Sequence, residues 1–253
     1  MKRIRLVLAT AVAVVMASAG VSWADGAAGQ ERGGVSAAAA EISIGTHNTH
    51  RGDASFEPFA GVIGWQEVES PAAIQKLRNR LGAEYNHYLG GGAPASAIPI
   101  SWRAARFQKL GEGSVRTHGG EAGVTPARYV NWVRLAIRAS GTQFIVVNTH
   151  FISGAWSGHP ERQARWNTHY QVLHDKVAGL KQNHPGVPIF VIGDFNRARA
   201  MAMPNPIRWV PVAGVSGVPI DHMYAPSTIS HTSVTREPKW GSDHHAYKMF
   251  ATI

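Results

Sequence analysis

The chain has 253 residues and no cysteine, which excludes a disulfide framework, a thiolate metal site and a cysteine nucleophile. Its stability must come from packing alone. Acidic residues are also scarce, with 16 Asp and Glu against 25 Lys and Arg, an imbalance that favours a polyanionic partner. A membrane span needs roughly 20 consecutive apolar residues, and the apolar run at 6–17 is shorter than that. Lys2, Arg3 and Arg5 precede it, and Ala17-Ser18-Ala19 and Ser22-Trp23-Ala24 follow. This is the layout of a secretory signal peptide over residues 1–24, cleaved after Ala19 or Ala24. The expectation is a secreted protein without a stable membrane anchor. Residues 25–40 are rich in Gly and Ala with no periodic apolar face, so they read as a linker or tail.

Residues 41–253 are enough for one sizeable core, and one domain is expected there. Setting aside Lys2, Arg3 and Arg5 leaves 22 basic against 16 acidic side chains, net +6. Strands are expected at 41–44, 62–65, 98–102, 107–110, 129–138, 144–147, 207–212, 222–225 and 245–252. Ser70-Pro71 makes an N-cap and first-turn pair for a helix through Arg80, closed near Gly82. A second helix should run from about Glu161 into Val177, with Pro185-Gly186 ending that segment. Residues 129–138 alternate, placing Val133, Leu135 and Ile137 on one face and Trp132, Arg134 and Arg138 on the other. Many strands, adjacent antiparallel pairs and two helices suggest two packed sheets with helices outside.

The stretch Ile189-Phe190-Val191-Ile192 runs straight into Gly193-Asp194-Phe195-Asn196, as a buried strand that delivers two oxygen-bearing side chains at its end. Asp194 and Asn196 are two apart, so on an extended chain they share a side, and Gly193 is expected to let the backbone turn beside them. Three further strand-like runs end in polar groups: Gly64-Trp65-Gln66-Glu67, Val147-Asn148-Thr149-His150 and Ser242-Asp243-His244. Asn-Thr-His occurs at both 48–50 and 148–150, too short a match to establish a repeat. Asn48, Glu67, Asp194, Asn196 and Asp243 offer the oxygen donors preferred by Mg²⁺, Mn²⁺ or Ca²⁺. His150 and His244 can move protons near neutral pH. Together they suit attack of water on a phosphodiester. The run Asp243-His244-His245 alone could suggest zinc, but no His-x-x-x-His helix pair supports it.

Taken in order, Asn48, Gln66-Glu67-Val68, Asn148-Thr149-His150, Gly193-Asp194-Phe195-Asn196, Ile220-Asp221-His222 and Ser242-Asp243-His244 resemble the endonuclease/exonuclease/phosphatase superfamily. The resemblance covers about residues 42–253. It implies a deoxyribonuclease I-like four-layer α/β sandwich and a Mg²⁺-dependent phosphoesterase, with Mn²⁺ or Ca²⁺ as alternatives. It further implies that Glu67 holds the cation, helped by Asn48 and Asp243. His244 would be the general base, oriented by Asp221. His150 would contact the scissile phosphate or act as acid, while Asp194 and Asn196 position water and phosphate. Arg128 matches a phosphate-binding arginine of relatives. Some nuclease relatives place a tyrosine and a carboxylate before the strand at 98–102, and this chain has neither between Tyr88 and Arg103.

The superfamily also includes sphingomyelinases and phosphatases of inositol lipids, so substrate must be argued from the surroundings of the site. Arg51, Arg128, Arg162, Arg165, Arg197, Arg199 and Lys239 fall just beyond or between the catalytic strand ends, which favours a polyanion. Of these, Arg197 and Arg199 are expected to bind substrate phosphates. Trp156 and His159 lie in a neighbouring loop and are read either as substrate contacts or as plain loop. The expectation is a monomeric secreted nuclease acting on DNA or RNA, with no obligate protein partner. A secreted sphingomyelinase or inositol-phosphate-type phosphatase is the alternative, and an inactive binding module the least favoured.

Overall fold

In the computed structural model of the protein, residues 39–229 and 232–253 are described. The expected signal peptide and most of the linker lie outside them. The linker's last residue, Ala40, exchanges two backbone hydrogen bonds of 2.9 Å with Ile253 and so belongs to the folded domain.

Among the described residues twelve strands form two six-stranded sheets. The first runs in the order β11 (Thr232–Arg236), β12 (Tyr247–Thr252), β1 (Glu41–Asn48), β2 (Val62–Gln66), β4 (Ile100–Arg103) and β3 (Tyr85–Tyr88). The second runs β5 (Phe107–His118), β6 (Arg128–Ile137), β7 (Gln143–His150), β8 (Ile189–Asp194), β10 (Asp221–Pro226) and β9 (Ile207–Trp209). Each sheet has one parallel pair at its centre, β1 with β2 and β7 with β8, among antiparallel neighbours.

Apolar side chains gather in three clusters, which define the layers. Ile42, Ile44, Val62, Phe144, Val146, Phe190, Ile192 and Met249 fill the space between the sheets. Ala73, Leu77 and Leu81 of α1 (Pro71–Leu81) cover Ile63 and Trp65 on the outer face of the first sheet. Trp166, Leu173, Val177 and Leu180 of α2 (Gln163–Asn183) cover Ile145, Val147, Ile189 and Val191 on the outer face of the second. Their spacing of three and four residues is that of one helical face. The result is the expected helix–sheet–sheet–helix sandwich. Ser70 caps α1 by accepting from the Ala73 amide at 3.0 Å, with Pro71 in the first turn and Gly82 closing the helix.

The differences from the sequence reading lie at sheet edges and helix ends. β3 and β11 are short edge strands whose residues, among them Asn86, His87, Ser233 and Arg236, show no apolar alternation; backbone pairing to β4 and β12 makes them strands. β5 runs past 110 to His118 for the same reason, pairing with β6 through two register shifts. α2 starts and ends later than expected. Ser242, Asp243 and His244 lie in a loop before β12, not at a strand end.

The two-residue period of a strand then places the site. Between the sheets, Ile42, Ile44, Thr46 and Asn48 share one side of β1, and Val62, Gly64 and Gln66 one side of β2. Phe144, Val146, Asn148 and His150 share one side of β7; Phe190, Ile192 and Asp194 do so on β8. Each row is apolar at its start and polar at its C-terminal end. Antiparallel β10 begins at that same end, with Asp221 opposite Asp194. The polar ends meet at one edge of the sandwich.

Candidate active site

A polar floor closes the apolar core beneath this edge. Gln66 Nε2 donates to Asn148 Oδ1 at 2.7 Å, and Asn148 Nδ2 to the Trp65 and Pro99 carbonyls at 2.9 and 3.1 Å. Both side chains are fully buried and tie one sheet to the other. Gly64 makes this possible, since a Cβ there would stand 2.7 Å from Asn148. Of the two Asn-Thr-His segments, one puts Asn48 in the site and leaves His50 half exposed, while the other puts Asn148 in the floor and buries His150.

Above the floor, Asn48 Nδ2 donates to Glu67 Oε1 and to Asp194 Oδ2, each at 3.0 Å. Its Oδ1 accepts from the His50 amide at 3.0 Å, and that fixes the orientation of the carboxamide, because only the oxygen can accept. Asn48 therefore clamps two carboxylates together and turns its N–H groups, not its oxygen, toward the place expected for a cation. Glu67 Oε2 accepts from the Arg51 amide at 3.0 Å. His50, Arg51, Glu67 and Asn196 all hold positive φ, between 48° and 61°, backbone strain of the kind that persists where the surroundings fix a site.

His150 lies under this pair, its Nε2 3.5 Å from Asp194 Oδ2 and 3.7 Å from Glu67 Oε1. Arg128 Nη1 approaches its Nδ1 at 2.9 Å. Burial, the Arg128 charge and the nearby His244 hold His150 well below the usual histidine range, so it is neutral.

The third unit is His244, whose Nδ1 sits 2.8 Å from Asp221 Oδ2. Burial would lower its pKa, but the Asp221 hydrogen bond and the charges of Asp221, Asp194 and Asp243 prevail and raise it to about 9. The loop carrying it is held by Ser242, whose Oγ donates to the Asn48 carbonyl at 2.7 Å and accepts from the His244 amide at 3.0 Å. Burial and the facing Asp221 push Asp194 up to about 7.

Two expectations need correction. Asn196 is not aligned with Asp194 along the strand: its amide donates to Asp194 Oδ1 at 2.7 Å, and its side chain turns away to the Phe151 carbonyl at 3.1 Å. Gly193 is required by close approach, not by a turn, because a Cβ there would stand 2.0 Å from the Thr149 carbonyl oxygen of the parallel neighbour. Asp243 lies at the mouth, its side chain 61% exposed and its Oδ1 3.9 Å from His244 Nε2. Arg197 lies against Trp156, and Arg199 is exposed. Sequence reasoning placed Gln66, Asn148 and Ser242 in its motifs without giving them a role, and it missed His169 of α2, whose ring nitrogens meet Thr149 Oγ1 at 2.6 Å and Thr117 Oγ1 at 3.1 Å. The only signal for His169 was a polar residue on the buried face of a helix.

Asp194, Asp221 and His244 offer ligand atoms that lie within 4.8 Å of one another. Asp221 Oδ1 is buried without a hydrogen-bond partner among the described residues. Glu67, Asp194 and Asp221 together crowd carboxylates whose charge Arg128 and His244 only partly offset. Oxygen donors in excess, no sulfur and an unmatched buried oxygen fit a hard divalent cation.

The sequence profile described as the Endonuclease/Exonuclease/phosphatase family matches residues 44–244. No curated protein matches the chain. Solved structures share the fold at low identity. Truncated TDP2 of Caenorhabditis elegans is 16% identical, with a TM-score of 0.63 over 84% of this chain and 98% of that one. An endonuclease/exonuclease/phosphatase family protein of Bacteroides thetaiotaomicron is 13% identical, with a TM-score of 0.65 over 85% and 96%. A mannosyl-6-phosphatase of the same species is 13% identical, with a TM-score of 0.62 over 82% and 98%.

Proposed function

The chain belongs to the endonuclease/exonuclease/phosphatase family of phosphoester hydrolases, and from that premise we propose that it is a secreted, Mg²⁺-dependent nuclease cleaving the phosphodiesters of DNA or RNA. The observation that carries the reading is the convergence of the Asn48-clamped pair Glu67 and Asp194 with two differently tuned histidines, His150 and His244, at one sheet edge.

Glu67 and Asp194, with Asp221 and Asp243 beside them, would hold the divalent cation, which when bound supplies positive charge against the phosphate oxygens. His244, oriented through Nδ1 by Asp221, takes a proton from the attacking water at Nε2. It can do so once the carboxylate charges that keep it protonated are neutralised. His150 must keep its proton on Nε2, since Nδ1 receives the Arg128 N–H. It therefore donates a hydrogen bond to a phosphate oxygen as charge develops there. Arg128 fixes that tautomer from behind, a narrower role than direct phosphate binding. Asn196 holds Asp194 through its amide and ties the loop after β8 to Phe151.

A polymeric substrate is supported by the excess of basic side chains and by Arg51, Arg197 and Arg199 beyond the strand ends. Among the described residues no helix is long and apolar enough to cross a membrane. The leader-like residues 1–24 are the support for secretion. The test is purified protein with Mg²⁺, offered plasmid DNA, RNA, sphingomyelin and inositol phosphates side by side. Cleavage of nucleic acid is expected. Turnover confined to sphingomyelin or an inositol phosphate overturns the reading.

A further inference from the structure

Trp156 and Val124 are the large apolar side chains left exposed among the described residues. Trp156 lies in the loop between β7 and α2, 37% exposed. Its ring stands edge-on to buried Trp166, with centroids 5.5 Å apart and planes at 87°. Trp166 is itself anchored, its Nε1 donating to the Phe195 carbonyl at 2.8 Å. Against this corner lies Arg197, its guanidinium carbon 3.6 Å from the Trp156 centroid and 5.0 Å from that of Trp166.

The backbone under Arg197 is fixed as well. Its carbonyl accepts from His222 Nε2 at 2.9 Å, and the preceding Asn196 bonds across to Phe151. Among the described residues the only polar contact of the guanidinium is Met201 Sδ at 3.8 Å, a weak acceptor. Glu161, the acid of the Trp156 loop, is turned to His159 at 3.0 Å and to Arg162 at 4.0 Å. The guanidinium is therefore held in place by stacking while its N–H donors remain unused, an arrangement preorganised for an anion.

Resting on the nuclease reading above, we propose that Arg197 on Trp156 is a second phosphate subsite, which takes a backbone phosphate of the same nucleic-acid strand one or two nucleotides from the scissile one. Arg197 follows Asp194 by three positions, so their Cα atoms lie at most roughly 11 Å apart. That reach accommodates neighbouring phosphates of one strand. Trp156 acts through Arg197: it removes the flexibility that a free arginine would lose on binding.

The test compares Arg197→Ala, Arg197→Lys and Trp156→Leu with wild type, with Mg²⁺ present. The substrates are a single phosphodiester, bis(4-nitrophenyl) phosphate, a single-stranded oligonucleotide, and an inositol bisphosphate with its monophosphate. For Arg197→Ala, kcat/KM on the oligonucleotide should fall about ten-fold further than on bis(4-nitrophenyl) phosphate, through KM. The slope of log KM against log salt for the oligonucleotide should drop by about one. Trp156→Leu and Arg197→Lys should move the ratio the same way by less. In parallel, a non-cleavable phosphorothioate oligonucleotide should bind His244→Ala protein about ten-fold more tightly than the His244→Ala, Arg197→Ala double variant. An oligonucleotide that is cleaved with an unchanged substrate ratio overturns the subsite and leaves the nuclease reading standing. An oligonucleotide neither cleaved nor bound overturns both. A ratio that moves only between inositol bisphosphate and monophosphate overturns the assignment to nucleic acid.

Discussion

Arg128 Nη1 lies 2.9 Å from His150 Nδ1, with both side chains buried. A guanidinium can only donate, so His150 can carry its proton only on Nε2, the nitrogen facing Asp194 and Glu67. Burial and then the arginine's charge keep the histidine neutral, and the arginine sets its tautomer.

Arg128→Met should remove that constraint. The orphaned Nδ1 costs about 1–3 kcal/mol of stability, and loss of the fixed donor lowers kcat by about 100-fold. Loss of the Arg128 charge also eases protonation of His150, so activity gains a second acid titration beside that of His244. Kinetics against pH and a thermal melt check this. A variant with unchanged kcat and pH profile rejects the role of Arg128.

Chelation should abolish turnover, and Mg²⁺ or Mn²⁺ should restore it, because the carboxylates lack matching positive charge. Cation binding to the folded state alone should also raise Tm with metal concentration. Glu67→Gln should weaken both responses most. Full turnover in excess EDTA, or a Tm indifferent to Mg²⁺, contradicts the assignment.

His244 has its pKa raised to about 9 in the folded protein, chiefly by Asp221 against the opposing effect of burial. A base works only when deprotonated, so activity should rise with pH through the His244 titration. Asp221→Asn removes the charge that favours the imidazolium, lowers the pKa and moves this rising limb to lower pH, with kcat reduced. His244→Ala should reduce turnover more severely than Asp221→Asn. The measurement is kcat/KM against pH at saturating Mg²⁺. A falling limb in place of the rising one makes His244 an acid and refutes the role given to it.

Burial holds His169 well below its unfolded value near 6.5 and lowers His222 to about 4. Below pH ~6.5 the unfolded chain binds protons that these buried rings refuse, so stability falls as pH falls from about 6.5 toward 4. Each such group contributes up to about 1.4 kcal/mol per pH unit in that window. Urea midpoints should decline across it, and His222→Gln should make the decline shallower. Midpoints flat from pH 7 to pH 4 contradict this account.

The sequence alone determined the layered fold and the edge on which the polar groups collect. Apolar runs such as 144–147 and 189–192 must be buried strands, and with a period of two, the polar residues that end them continue the core-facing rows. Asn48, His150 and Asp194 were legible in that way, whereas Glu67, one residue past the core-facing row of Val62, Gly64 and Gln66, reaches the site through a backbone at φ 61°. Local pattern could not say which of them touch, or how they are turned. Asp221 meets His244 from a different sheet, Arg128 reaches His150 across a hairpin, and Asn196 bonds to Phe151 where its spacing suggested partnership with Asp194. Those contacts depend on strand register and on how the two sheets face one another. Both are settled by the packing of Ile42, Ile44, Phe144, Val146, Phe190 and Ile192 between the sheets, a long-range outcome that no short stretch of chain encodes.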